Sequence, residues 1–297
     1  MTPLAGAATD TGLLREHNED RYWMDAERGL FLVVDGVGGQ AAGELAAQTA
    51  VETIRETMRW TEASAEERVR MAITAANNRI FRRAQTDEEN RGMACVLTLA
   101  LVEEGRITIG HVGDSRLYLL WDGAIRKLTS DHSPVGEDED AGALTEEEAM
   151  VHPRRNEVFR DVGSRLRDVD DGDFVEIRQC RFREDAALLL CSDGLTDQLT
   201  AAQIRAITGR YDGDPGRIAA ELVEAANDAG GKDNITALFV AGPKFRGRDG
   251  ATRPRPGATT RPGATRQRPR ASRLGGRLAF LTYGLLIGML LWAVLRK

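Results

Sequence analysis

Short apolar runs recur along the first 241 residues, and many stop abruptly at an aspartate followed by glycine or asparagine. Residues 31–35, 94–102, 106–112, 115–121, 173–178, 186–192 and 235–241 have the length and composition of strands. Trp121-Asp122-Gly123-Ala124 is a hairpin signal leading into a further short strand, and Asn18-Glu19-Asp20 precedes another. Apolar residues at helical spacing predict long helices over 43–60 and 65–86. Thr145 with Glu148, and Thr200 with Gln203, are capping boxes that open two shorter helices. Asp214-Pro215 opens a last helix, which Gly230-Gly231 closes. Strands cluster and helices come in pairs, without strict alternation. This predicts an α+β fold of antiparallel sheets packed face to face, with helices outside. Residues 133–172 are acidic, polar and poor in strand signal, and read as an inserted flap.

The end of the chain follows another pattern. Residues 278–295 contain no charge, with Arg277 before them and Arg296-Lys297 after. The run is apolar all round and predicts a transmembrane helix, at the short end of spanning length. A buried core helix is the alternative. Residues 243–277 are rich in Pro, Gly, Thr and Arg and have almost no apolar residues, so they predict a disordered linker. Its basic charge beside the span places it on the cytoplasmic side. The expectation is a single-pass, tail-anchored protein of the cell membrane, with its body, residues 1–242, in the cytoplasm. Solvation alone, or attraction to anionic headgroups, accounts for the arginines. The linker has no aromatics on which bases could stack, which argues against nucleic acid.

Composition sharpens this picture. From Lys244 onward the chain holds 13 basic residues and one acid, so its overall charge of −6 divides into a tail of +12 and a body of −18. The three cysteines lack C-x-x-C spacing, and their odd number argues against a disulfide framework. The four histidines form no spaced pair, which argues against zinc. The N-terminus has neither a basic n-region nor a long apolar core, so a secretory signal is not expected.

The candidate chemistry lies where strands end. Val34-Asp35-Gly36, Ser192-Asp193-Gly194 and Lys232-Asp233-Asn234 each put a carboxylate at a strand junction. Asp131 in TSDHS follows a strand. A carboxylate there is costly unless paired. One Asp-Gly alone is an ordinary turn signal, and Asp122-Gly123 and Asp212-Gly213 read that way. Several converging ends would suit a hard divalent cation, Mg²⁺ or Mn²⁺, with oxygen ligands. Two cations sharing a carboxylate lower the pKa of a bound water and clamp a phosphoryl oxygen.

The succession DTGLLREHNEDRY, FLVVDGVGG, HVGDSRLYLL, LTSDHS, LLLCSDGLTD and GGKDNIT resembles the PPM family, the metal-dependent serine/threonine phosphatases of protein phosphatase type 2C. LTEEEAMVHPRRN resembles the flap of its bacterial branch, and the likeness covers about residues 8–241. It implies a sandwich of two antiparallel sheets flanked by pairs of helices, with two or three Mn²⁺ or Mg²⁺ ions at one end. By position it implies that Asp35 bridges two ions, with the Gly36 carbonyl on one and Asp193 and Asp233 on the other. Asp131, with Asp193, would hold a third. Glu19 and Asp20 would order metal-bound waters, and Arg15 would bind phosphate. The implied reaction is hydrolysis of phosphoserine and phosphothreonine in proteins by a metal-bridging water, without a phosphoenzyme. The implied partners are phosphorylated proteins, including a membrane-associated serine/threonine kinase, met by a monomeric catalytic domain. Animal members carry a histidine after the Asp-Gly as a candidate general acid; here Val37 stands there. Asp114 reads as structural, His111 as a core residue and His132 as an ordinary flap-base residue. Two other readings are a metal-poor relative acting as a binding module, which would have lost ligands, and a branch acting on one anti-sigma-antagonist protein.

Overall fold

The computed structural model describes residues 2–247, apart from 39, 40, 60, 61 and 87. The expected transmembrane helix at 278–295, and all of the linker beyond 247, lie outside the described residues. Among the described residues no helix is long and apolar enough to cross a membrane.

Among the described residues, ten strands form two five-stranded antiparallel sheets. They are β1 (Leu4–Asp10), β2 (Arg21–Asp25), β3 (Leu30–Val37), β4 (Ala94–Glu103), β5 (Arg106–Val112), β6 (Arg116–Trp121), β7 (Ala124–Lys127), β8 (Glu176–Arg181), β9 (Ala186–Cys191) and β10 (Ile235–Ala241). One sheet has the order β1-β10-β9-β6-β7 and the other β2-β3-β4-β5-β8. Helices α1 (Ala41–Thr57) and α2 (Ala65–Thr86) cover the second sheet, where Leu30, Leu32 and Val34 of β3 meet Ala46, Ile54, Ile73 and Ile80. Phe31 and Val33, pointing the other way, pack between the sheets with Leu188, Leu190 and Leu238. The central strands are buried on both faces, which is why they read as continuous apolar runs. Helices α6 (Ala201–Thr208) and α7 (Pro215–Asp228) cover the first sheet. Three short helices complete the described fold: α3 (Pro134–Asp140), α4 (Glu146–Met150) and α5 (Asp193–Thr196).

Both expected capping boxes form, at Thr145 and Thr200, and Asp214 caps α7 through the amides of Gly216 and Arg217. The Asp122-Gly123 turn has φ of 53° and 76°, as a two-residue hairpin requires.

Three expectations need correction. β1 carries little strand signal, because LAGAATD has no aromatic residue and only one β-branched residue, Thr9. Its small residues answer to packing: a Cβ on Gly6 would lie 2.3 Å from the Gly216 amide nitrogen at the start of α7. The strand expected at 173–178 begins only at Glu176 and runs to Arg181, because Phe174 and Val175 turn into the core under α1 and α2. The flap's return is also less peripheral than its polarity suggests. Val162 is fully buried and pairs with Cys95 through two backbone bonds of 3.0 and 2.8 Å.

Packing also continues past the expected boundary at residue 242. The Gly242, Lys244 and Gly247 amides donate to Ala186, Glu184 and Tyr211 carbonyls. The Phe245 ring lies 5.3 Å from Tyr211 and 5.9 Å from Phe239. Phe245→Ala should therefore lower the stability of the full chain by about 3 kcal/mol, read as the urea midpoint at unchanged slope.

Candidate metal centre

Antiparallel pairing brings several strand junctions to one pole of the sandwich. Asp35 and Gly36 end β3, and Asp20 precedes β2, whose Arg21 pairs with Val34. Asp193 opens α5 directly after β9, and Asp233 precedes β10, the strand beside β9. Asp114 lies in the turn between β5 and β6.

Glycines and one asparagine permit this approach. A Cβ on Gly36 would stand 2.3 Å from the Gly43 carbonyl oxygen, and one on Gly43 2.0 Å from Glu19 Oε2. A Cβ on Gly194 would stand 2.0 Å from the Asn234 carbonyl oxygen. The Asn234 side chain accepts from the Glu19 amide at 2.8 Å and donates to the carbonyls of Thr11 and His17, both at 2.9 Å.

Asp20 is buried. Its Oδ2 accepts from Ser192 Oγ at 2.7 Å, while its Oδ1 is sealed from solvent without a partner. Burial pushes its carboxyl up to about 7, helped by Asp193 and Asp233 and opposed by the Ser192 and Thr236 hydroxyls. Burial and the charges of Asp20, Asp193, Asp114 and Asp233 hold Asp35 well above the usual range. Asp193 is raised by burial and by Asp233, and lies within hydrogen-bonding reach of Asp35. Asp114 is raised well above its usual value by burial, Asp193 and Asp131. Burial also raises Glu19.

Nearby cations are engaged elsewhere. Arg15 Nη2 donates to Asp233 Oδ2 at 2.7 Å, and the Arg155 guanidinium lies 2.6 Å from Asp197 Oδ2. Among the described residues, Asp20, Asp35, Asp114 and Asp193 have no ion pair. Four close carboxylates, one with an unpartnered buried oxygen, form an all-oxygen donor set suited to hard divalent cations.

The structure brings together Arg15, Glu19, Asp20, Asp35, Gly36, Asp193 and Asp233 from the sequence reading. Both oxygens of Asp131, expected to hold a third ion, face cations. Arg116 donates to its Oδ2 through Nε at 2.8 Å and Nη2 at 2.6 Å, and Lys127 Nζ lies 3.5 Å from Oδ1. Burial opposes ionisation, but these cations hold its carboxyl below the usual range. Asp114, read as structural, is the carboxylate that joins the cluster. The signal missed was the missing cation: the charge of Arg116, two residues on, goes to Asp131 and Glu139.

Among the described residues, the one group of three metal-competent side chains whose ligand atoms all lie within 4.8 Å of one another is elsewhere, at His111, His132 and Glu176. Its nitrogens are occupied. His111 Nε2 faces the Ser130 carbonyl at 3.1 Å, and its Nδ1 lies 2.9 Å from Thr98 Oγ1. His132 Nδ1 accepts the Gly113 amide proton at 3.0 Å, and its Nε2 lies 3.2 Å from Glu176 Oε2 and 3.1 Å from Arg160 Nη1. Arg178 pairs with the other Glu176 oxygen. His132 therefore does more than mark the flap base. Its own amide donates to the Gly113 carbonyl, and its carbonyl accepts from Phe159, so it ties the flap's return to the turn before Asp114.

The model of the family Protein phosphatase 2C matches residues 15–227. The Serine/threonine phosphatase stp of Listeria monocytogenes is 35% identical over 242 residues, covering 78% of this chain and 93% of its own. The crystal structure of the Mycobacterium tuberculosis serine/threonine phosphatase PstP/Ppp superposes with a TM-score of 0.72 at 29% identity, covering 83% of this chain and all of that one. A PstP catalytic domain in complex with two manganese ions gives a TM-score of 0.70 at 29% identity, over 81% of this chain and 98% of that one.

The raised carboxylates fix a sign. They bind more protons folded than unfolded, so the metal-free fold loses stability as pH rises from about 4 through their folded values. At pH 8 Asp35→Asn should raise the melting temperature in EDTA. It should also abolish the increase of roughly 5–10 °C that 1 mM Mn²⁺ gives the native chain, checked by differential scanning fluorimetry.

Proposed function

The chain belongs to the protein phosphatase 2C family and is a serine/threonine protein phosphatase, and on that premise we propose how its residues divide the work. Asp35 and the Gly36 carbonyl, with Asp193 and Asp233, would hold two Mn²⁺ or Mg²⁺ ions, and Asp114 with Asp193 a third. When bound, such ions lower the pKa of a shared water and polarise the phosphoryl oxygens. The observation that carries this assignment is the cluster of Asp20, Asp35, Asp114 and Asp193, raised by burial and mutual repulsion without an ion pair.

Arg15 would bind the phosphoryl group. Asp233 holds its guanidinium through Nη2, and the side chain is still 48% exposed, so the planar fork can pair with phosphate oxygens. Asp20 and Glu19 would orient waters through their free oxygens. Val37 offers no proton, so the departing seryl or threonyl oxygen would take one from water. Cys191 does not serve as a nucleophile, since burial pushes its thiol up to about 12. All the expected carboxylates are present, which removes the motive for a non-enzymatic binding module.

Residues 278–295 would anchor the chain in the cell membrane with its catalytic body in the cytoplasm, opposing a membrane-associated serine/threonine kinase. The support is a charge-free run of 18 residues flanked by Arg277 and Arg296-Lys297.

Two measurements test the reading. With Mn²⁺ the full chain should release phosphate from a phosphothreonine peptide. EDTA or Asp193→Asn should abolish release, and Arg15→Ala should cut kcat/KM by about 100-fold, mostly through KM. Deleting residues 278–297 should move the protein from the membrane pellet to the supernatant without changing release; a full chain already in the supernatant would reject the anchor.

A further inference from the structure

The loop between β1 and β2 is pinned at its base and bare at its tip. The three Asn234 bonds clamp Thr11, His17 and Glu19. The Leu13 amide donates to the Gly231 carbonyl at 2.7 Å. Gly12, at φ +79°, sits so close to the chain before β10 that a Cβ would lie 2.1 Å from the Asp233 carbonyl oxygen. Yet Leu13 and Leu14, immediately before Arg15, are 66% and 71% exposed. Isolated exposed leucines are common. An adjacent pair on a clamped backbone, beside an arginine fixed by Asp233, is a preformed apolar surface that a partner meets already ordered. Val37, directly after Asp35-Gly36, adds a further apolar side chain at the centre, 43% exposed.

We propose that Leu13 and Leu14 are specificity-determining residues that bury an apolar side chain next to the phosphoserine or phosphothreonine of the substrate. This rests on the reading of Arg15 as the phosphate-binding group. A phosphoryl group on Arg15 puts the residues flanking it within reach of the loop tip, because consecutive Cα atoms are only about 3.8 Å apart. An aliphatic or aromatic neighbour then loses its water against the two leucines, whereas a charged one would be desolvated without a partner. The preferred substrate class is a phosphorylated segment with a large apolar residue flanking the phosphorylated one.

The test uses the full chain with Mn²⁺ and three substrates. Two are phosphothreonine peptides, identical except for leucine or serine on both sides of the phosphothreonine. The third, para-nitrophenyl phosphate, has no flanking residues. The native chain should use the leucine-flanked peptide with about tenfold higher kcat/KM than the serine-flanked one. The double variant Leu13→Ser/Leu14→Ser should lose that advantage through KM, keeping para-nitrophenyl phosphate and the serine-flanked peptide within about twofold. Equal use of both peptides by the native chain would overturn the proposal. So would a parallel loss on all three substrates in the variant, which would make the loop a support of the phosphate site. Failure of the native chain on every substrate would sink the phosphatase reading, and this proposal with it.

Discussion

Repulsion among carboxylates organises this molecule. Two unit charges roughly 4 Å apart repel by about 4 kcal/mol at an effective dielectric constant of about 20. Among the described residues, the pole of the sandwich gathers Asp20, Asp35, Asp114 and Asp193 without an ion pair to any of them, although the charge of Arg155 acts on Asp193. A chain selected only for stability would pair or disperse them. This one spends the cations at hand on Asp233, Asp197 and Asp131 and leaves the inner group unneutralised.

The rest of the fold holds that group in place. Antiparallel pairing delivers strand junctions from both sheets to the same pole, while the three apolar layers fix the sheets against each other and against their helices. Close approach is then a matter of removing atoms, and Gly36, Gly43 and Gly194 supply it where any Cβ would collide with backbone or carboxylate oxygen. Asn234 does the complementary work by hydrogen bonding, tying the loop that carries Arg15 to the strand that follows Asp233. Positions with no chemistry of their own thus set the geometry of those that have it.

Much of this was legible in the sequence, for identifiable reasons. Central strands buried on both faces announce themselves as apolar runs, and capped helices by their boxes. The aspartates at strand ends stand out because a charge there needs compensation. β1 was not legible, since its alanines and Gly6, which packs against the start of α7, carry no strand signal. Asp131 and Asp114 could not be told apart in sequence, because both follow strands and both are acidic. Only the fold shows that Arg116 reaches across the hairpin to one and leaves the other alone. The pairing of Val162 with Cys95 was hidden because the partners are far apart in the chain and the surrounding stretch is polar.

The closure of the flap has an evolutionary consequence. Phe159 bonds back to His132, and Val162 to Cys95, so the segment between His132 and Phe159 leaves and rejoins the body at one place. The cost of closing a loop grows only slowly with its length. Exchange between those two points would still have to keep Glu139, which pairs with Arg116, and Arg155, which pairs with Asp197. A lineage that keeps those two pairs can vary the rest of the segment, and a protein engineer could graft a foreign segment at the same seam.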